Sequence, residues 1–303
     1  LDLWTDPPFQ PTVRQGKIYA RGATDDKGQV FAHVKALQAL YAGGDPLPVN
    51  VKLLVEGEEE IGSPHLTPFV MEHRDRIACD AVVISDTSMF APGVPSIVYG
   101  LRGLAYAQIN VQGPSRDLHS GSYGGPVANP LNALCSIVAS LKDADGRIAI
   151  KGFYDDVEEL SSTERDALNA LDYSVERLRN DVGVPDAGGE PGYSIVERLW
   201  TRPTLDVNGL LGGFTGDGAK TVLPAKAMAK VSMRLVPNQR PERIISLLRA
   251  HVEKHTPKGV TVTVRDLHGA NPVKVDPAEP AIQAAAEALE ETFGTQCVFH
   301  RED

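Results

Sequence analysis

The chain has 303 residues, 42% of them hydrophobic and 23% charged, the balance of a soluble globular protein long enough for two domains. With 40 acidic against 30 basic residues the formal charge is −10, so no basic field exists to hold nucleic acid or an anionic membrane. Cys79, Cys135 and Cys297 are too few and too scattered for a disulfide framework, which points to a reducing, cytoplasmic setting. No apolar run approaches the roughly 20 residues that cross a bilayer.

The opening LDLWTDPPFQP reads as a Pro-rich surface loop. Val30, Val34, Leu37 and Tyr41 recur at helical spacing, and Gly43-Gly44 with Pro46 and Pro48 stop that helix. Residues 51–55 (VKLLV) and 81–85 (AVVIS) read as short buried strands, with a helix between them capped by Ser63 and running to about Arg76. Strand, helix, strand alternation predicts an α/β layer with a parallel sheet.

From about Leu101 the pattern changes. YAQINVQ alternates like a strand with one wet face, and a helix follows over 130–141. Strands over 205–213, 226–236 and 260–264, with a helix over 241–254, make a small α+β sandwich, and the Gly/Pro/Asp-rich stretch 181–192 is a loop excursion. A helix over 277–293 and a strand at QCVFH return to the first domain. The predicted fold is therefore α/β: a catalytic domain with a parallel-containing sheet (1–101 and 271–303) interrupted by an inserted α+β lid or dimerisation domain (102–270). Both termini read as cuts through a longer protein.

Three acidic clusters follow strands or lead into a helix in the first domain: RGATDDKG (21–28), EGEEEIGS (56–63) and ISDTS (84–88). Crevices at the carboxyl ends of strands are where open α/β sheets build sites, and convergent carboxylates need a counter-cation. Taken singly, each has an ordinary reading: Asp25-Asp26 as the first-turn acids of a helix, EGEEE as a solvated charge run, and a histidine in the Gly/Ser-rich DLHSGSYGG (117–125) as an exposed turn residue. His33 borders the apolar stripe of its helix and reads as packed.

Together, in order, these motifs resemble the dinuclear-zinc peptidase family of aminoacylase, glutamate carboxypeptidase and succinyl-diaminopimelate desuccinylase. In wording they are closest to its cytosolic non-specific dipeptidase and carnosinase-like members. The resemblance runs over essentially the whole chain. It implies that Asp25 bridges two divalent ions, zinc first with manganese or cobalt as alternatives, that Glu60 and Asp86 are the further metal ligands, and that Glu59 is the general base. Zinc takes oxygen ligands at about 2.0–2.2 Å, and a pair some 3.5–4 Å apart needs a bridging carboxylate to offset its repulsion. The resemblance also implies a cis peptide between Asp25 and Asp26, a His119 that binds the substrate carbonyl oxygen, and a Thr221 and an Arg234 on the substrate's carboxylate side. It further implies a homodimer through the inserted domain, with His119 crossing to the partner's site.

Two departures follow. Asp303 stands where the family has the first glycine of Arg-Glu-Gly-Gly after the position of His300. The two histidines with which the family completes its metals have no counterpart within 1–303, so this chain is expected to be inactive by itself. The expected activity is cleavage of dipeptides or of C-terminal residues from small peptides. The alternatives are an N-acyl-amino-acid deacylase and a catalytically inactive homologue kept for dimerisation.

Overall fold

The computed structural model describes residues 3–44, 46–87, 89–171 and 173–302, so Asp303 and its departure from the family pattern lie outside the described residues. The chain divides into two compact units, Leu1–Met89 and Phe90–Asp303.

The first unit holds a short antiparallel pair, β1 (Thr12–Arg14) and β2 (Lys17–Tyr19), then α1 (Gly28–Ala42), α2 (Leu66–Glu72) and α3 (Arg74–Ile77). The predicted helix at 30–41 is α1, but it buries no residue, and Val30, Phe31, Val34, Leu40 and Tyr41 all face solvent. His33 is exposed rather than packed, with its Nε2 2.7 Å from the Ser85 hydroxyl. Residues 51–55 and 81–85 are not strands of any ladder, and Val55 and Val83 are 73% and 78% exposed. An apolar run becomes a strand only when a neighbour takes its backbone N–H and C=O groups. Ser63 does not cap a helix. It sits at φ 48, and α2 begins after His65 and breaks at His73 before α3.

The second unit carries the core. β3 (Ser96–Leu101) leads into β4 (Gly103–Gln112), followed by β5 (Leu118–His119), the single turn α4 (Ser120–Tyr123) and α5 (Pro130–Ala139). Three short helices come next: α6 (Ser162–Asn169), α7 (Val175–Val182) and α8 (Ile195–Trp200). Then come β6 (Asp206–Gly212), β7 (Val222–Leu223), β8 (Lys226–Leu235), α9 (Pro241–His255), β9 (Thr261–Ala270), β10 (Val273–Lys274), α10 (Pro280–Phe293) and β11 (Val298–Glu302). In the antiparallel sheet β6-β8-β4-β9 the two central strands alternate strictly: Ala105, Ala107, Ile109 and Val111 of β4, and Ala229, Val231 and Met233 of β8, point to one buried face. That face is covered by α5 and α9.

Helix α5 starts where Asn129 accepts a hydrogen bond from the Leu131 amide (2.9 Å) and Pro130 occupies the first turn, and it buries Pro130, Ala133, Leu134 and Ile137 at i, i+3, i+4 and i+7. Helix α9 buries Ile244, Ile245, Leu248 and Val252 in the same way. Each fully buried Leu or Ile contributes about 1.5–3 kcal/mol. The alanines between them let the helices approach the sheet.

A second sheet, β10-β3-β11, pairs β3 with β11 in parallel, so the fold is mixed α/β as the alternation of elements predicts. At Gly103, the first residue of β4, a Cβ would stand 2.5 Å from the Ala270 carbonyl oxygen, so only glycine fits this close approach.

Candidate functional site

Asp25 lies in a wide turn, Ala23–Lys27, in which Asp25 and Asp26 leave helical φ/ψ and the Asp25–Asp26 peptide is cis. Gly22 enters that turn at φ 75, a left-handed conformation that glycine adopts without strain. A Cβ on Gly28 would sit 2.9 Å from the Ala23 carbonyl oxygen, so both glycines of RGATDDKG are needed to close the turn. Glu59 and Glu60 open a short 3₁₀ turn, Glu59–Ile61, after the apolar residues 51–55, and Asp86 directly follows the apolar run 81–85.

These groups feel one another. The Glu59 carboxyl is raised above its ordinary range, first by burial and then by the charges of Asp86, Glu60, Asp25 and Glu56. Asp86 is raised by burial and by Asp25, Asp26 and Glu60. The neighbouring Glu58 goes the other way, because the His65 ring, 2.9 Å from both of its oxygens, holds it low. One imidazole thus separates Glu58 from the Glu59-Glu60 pair, a division of labour that sequence reading missed. Its signal was a histidine seven positions beyond the acid.

Among the described residues no group of three His, Cys, Asp or Glu side chains is drawn tightly enough to hold a metal ion by itself. The donor set nonetheless fits a hard divalent cation. It is all carboxylate oxygen, and the charge repulsion that helps to raise Glu59 and Asp86 is what a cation would relieve.

The other predicted residues lie in the second unit. His119 ends β5, which pairs with β7, so that Thr221 comes alongside: His119 Nε2 is 3.1 Å from Thr221 Oγ1. The Gly121 amide donates to His119 Nδ1 at 3.1 Å. Since Nδ1 accepts, the ring proton sits on Nε2, which donates to Thr221 here and is free to donate to a substrate oxygen instead. Asp117 anchors the β5–β7 pair by accepting from the Ala225 amide (2.8 Å), just before β8.

Arg234 is near the other end of β8, opposite Leu104. Nine strand steps of about 3.4 Å put Arg234 about 30 Å along β8 from Ala225, whereas Asp117, two residues before His119, is bonded to Ala225 itself. The structure therefore brings His119 and Thr221 together and keeps Arg234 apart from them. A cleft of about 1140 Å³ lined by Tyr99, Glu164, Arg240, Lys274 and Phe299 contains none of these residues.

A turn that exposes one aspartate and two further acidic loops whose charges act on Glu59 make a carboxylate-rich cluster within the first unit, with donor chemistry suited to a divalent cation. The comparisons agree: the sequence matches Peptidase family M20/M25/M40 over residues 1–302, and the chain belongs to that family. It is 40% identical to the Cys-Gly metallodipeptidase dug1 of Schizosaccharomyces pombe over 84% of this chain and 54% of that one. It is 34% identical to the human Beta-Ala-His dipeptidase over 97% of this chain and 59% of that one. Its structure is similar to that of the M20 family metallo-carboxypeptidase Sso-CP2 from Sulfolobus solfataricus, with a TM-score of 0.88 and 36% identity, covering 100% of this chain and 68% of that one. The chain spans 54% and 59% of the length of the two curated relatives.

Proposed function

We propose that this chain belongs to a metal-dependent hydrolase that cleaves dipeptides or removes C-terminal residues. The observation that carries the reading is the meeting of charges at Glu59, where Asp25, Glu60 and Asp86 arrive from separate loops. Asp25, Glu60 and Asp86 would hold divalent ions, which when bound polarise a carbonyl and acidify water. Glu59 takes the proton of the attacking water and returns it to the leaving amine. His119 donates its Nε2 proton to the developing oxyanion, with Thr221 fixing the ring until substrate arrives. Arg234 takes the substrate's terminal carboxylate.

The separation within the second unit bears on assembly. An extended dipeptide spans about 7 Å, so His119, held at the Ala225 end of β8, and Arg234, about 30 Å along the strand from Ala225, are too far apart in one chain to share it. A homodimer in which each site takes His119 and Thr221 from one subunit and Arg234 from the other resolves this. The inserted domain, 102–270, would supply that interface. The three cysteines are free, two of them exposed, which suits a reducing, cytoplasmic setting. No helix among the described residues is long and apolar enough to cross a membrane.

The test is hydrolysis of dipeptides and N-acyl amino acids side by side, with Zn²⁺, Mn²⁺ or Co²⁺, in a background with both metal sites complete and with Glu59→Gln as the control. Dipeptide cleavage lost in Glu59→Gln supports the proposal. Cleavage of acyl amino acids alone makes the protein a deacylase, and metal binding with no hydrolysis makes it an inactive homologue.

A further inference from the structure

His119 is exposed, and the two-residue strand that carries it has nothing of its own to fix the ring. What fixes it comes from its neighbours, backbone first. The Ser120 amide donates to the Thr221 carbonyl (3.1 Å), and Leu223, in register with Leu118, is buried.

The anchor of this segment is the residue just before β8. Ala225 gives its amide to Asp117 Oδ1 (2.8 Å), while its carbonyl accepts from the Gly113 amide (2.9 Å) and from Gln112 Nε2 (3.1 Å). Gln112 also donates to the Pro114 carbonyl (2.9 Å). Ala225 is thus tied to the end of β4 on one side and, through Asp117, to the histidine segment on the other. Since β4 and β8 are the two central strands of their sheet, Asp117 refers the position of His119 to the core of the unit. The bond uses one acceptor oxygen, which an asparagine also offers.

The ring is held next. His119 caps α4 by accepting the Gly121 amide on Nδ1, which leaves the ring proton on Nε2, facing Thr221. A Cβ on residue 121 would stand 2.9 Å from His119 Cε1 and 3.1 Å from Nδ1. Gly121 lies in α4 without a positive φ, so the imidazole, and not the backbone, calls for glycine here. The opposite tautomer would turn a lone pair toward a developing oxyanion, and a donor misplaced by about 1 Å can cost about a hundredfold in rate.

We infer that Asp117 and Gly121 are positioning residues for His119: Asp117 fixes where the histidine stands, and Gly121 fixes which nitrogen carries its proton. The inference rests on the reading of His119 given under Proposed function.

The test has a spectroscopic arm on the 303-residue chain and a kinetic arm in a background with both metal sites complete. Long-range proton–nitrogen correlation spectra read the tautomer, with His119 assigned among the eight histidines by its loss in His119→Gln. The unaltered chain is expected to show the Nε2-protonated ring, and Gly121→Ala a mixture of tautomers. Asp117→Ala should speed hydrogen exchange of the Ser120 amide by about three- to tenfold. Each of these two substitutions should lower kcat by about ten- to a hundredfold with KM little changed. Asp117→Asn should recover most of what Asp117→Ala loses in both readouts.

A tautomer unmoved by Gly121→Ala overturns the assignment of Gly121. Ser120 exchange unmoved by Asp117→Ala, or not recovered by Asp117→Asn, overturns that of Asp117. Both spectroscopic changes with kcat unaltered, while His119→Gln is inactive, refute positioning and leave the reading of His119 standing. A His119→Gln protein with full activity overturns both. Near-ultraviolet circular dichroism of each variant separates these effects from loss of fold.

Discussion

Substituting Glu190 tests the electrostatics that hold the 183–202 segment to its unit. Arg202 is 5% and Glu190 7% exposed, and they meet in a two-pronged pair, Nε to Oε2 at 2.8 Å and Nη2 to Oε1 at 2.9 Å. The guanidinium is also stacked 4.2 Å from the Tyr193 ring centroid, and Arg147 reaches Glu190 at 3.0 Å from the solvent side. Glu190→Gln leaves a buried cation facing a neutral amide. Removing one partner of such a pair costs about 3–5 kcal/mol. Glu159, 3.8 Å from Arg202 but largely exposed, recovers a little of that, so about 3 kcal/mol is expected.

For a unit the size of Phe90–Asp303, each kcal/mol lowers Tm by about 2–4 °C, giving a fall of about 6–12 °C. Thermal unfolding measures the fall in Tm and urea unfolding the free energy, both followed by tryptophan fluorescence, since Trp200 lies two residues from Arg202. The loss should change little with added salt, unlike that of the exposed Arg177–Asp181 pair. Replacing Glu190 and Arg202 together by methionine should cost less than Glu190→Gln alone, because no charge is then stranded. A Glu190→Gln protein within about 0.5 kcal/mol of the unaltered one would refute the reasoning, because that is the range of ordinary surface changes.

Three further outcomes are expected. Burial works to raise the Glu164 carboxyl, but the Tyr99 hydroxyl at 2.7 Å, Arg301 and Lys274 together hold it below its ordinary 4.5. Its contribution is therefore full above that pH and lost as pH falls through the lower folded value, and Glu164→Gln should remove that acid-dependent part of the urea midpoint. His300, 2% exposed with no partner for Nε2, is held below its ordinary 6.5 by burial, which disfavours its charged form. Stability should decline as pH falls from 6.5 toward the folded value, and His300→Phe should flatten that slope. Asp25, Glu60 and Asp86 offer carboxylates without imidazole, so calorimetry on the 303-residue chain should show weak zinc binding, and two tight ions would contradict this.

Much of the second unit was legible because its signals are local. Residues 103–112 and 226–235 alternate because one sheet face is dry, and Asn129-Pro130 announces α5. The α6–α8 excursion was not read, although Ser161, Ser174 and Ser194 each accept from the amide three residues on, and Ser194 with Glu197 forms a full capping box. Those helices are short and polar, and hydrophobic period says little about them. Residues 51–55 and 81–85 misled for the opposite reason: apolar composition announces a strand, but only a pairing partner makes one. In the candidate site, carboxylate identity was readable from motif wording. The His119–Thr221 contact depends on two loops far apart in sequence, and no local pattern carries it.

The placement of His119 and Thr221 at one end of β8 and Arg234 toward the other leads to the last prediction. If a single dipeptide is held by all three residues, the His119–Thr221 pair must come from one subunit and the arginine from the other. His119→Ala and Arg234→Ala proteins, each in a background with both metal sites complete, should be nearly inactive alone, measured as kcat/KM. In a mixed dimer, the intact His119 of the Arg234→Ala subunit meets the intact Arg234 of the His119→Ala subunit at one site, while the second site collects both lesions. Random exchange makes about half the dimers mixed, so about a quarter of unaltered activity should return. Exchange is verified independently by native mass spectrometry of differently tagged chains. Full exchange with no recovery would mean that His119 and Arg234 serve the same chain's site or different steps. Recovery well above a quarter would mean that one of the two substitutions never disabled its site.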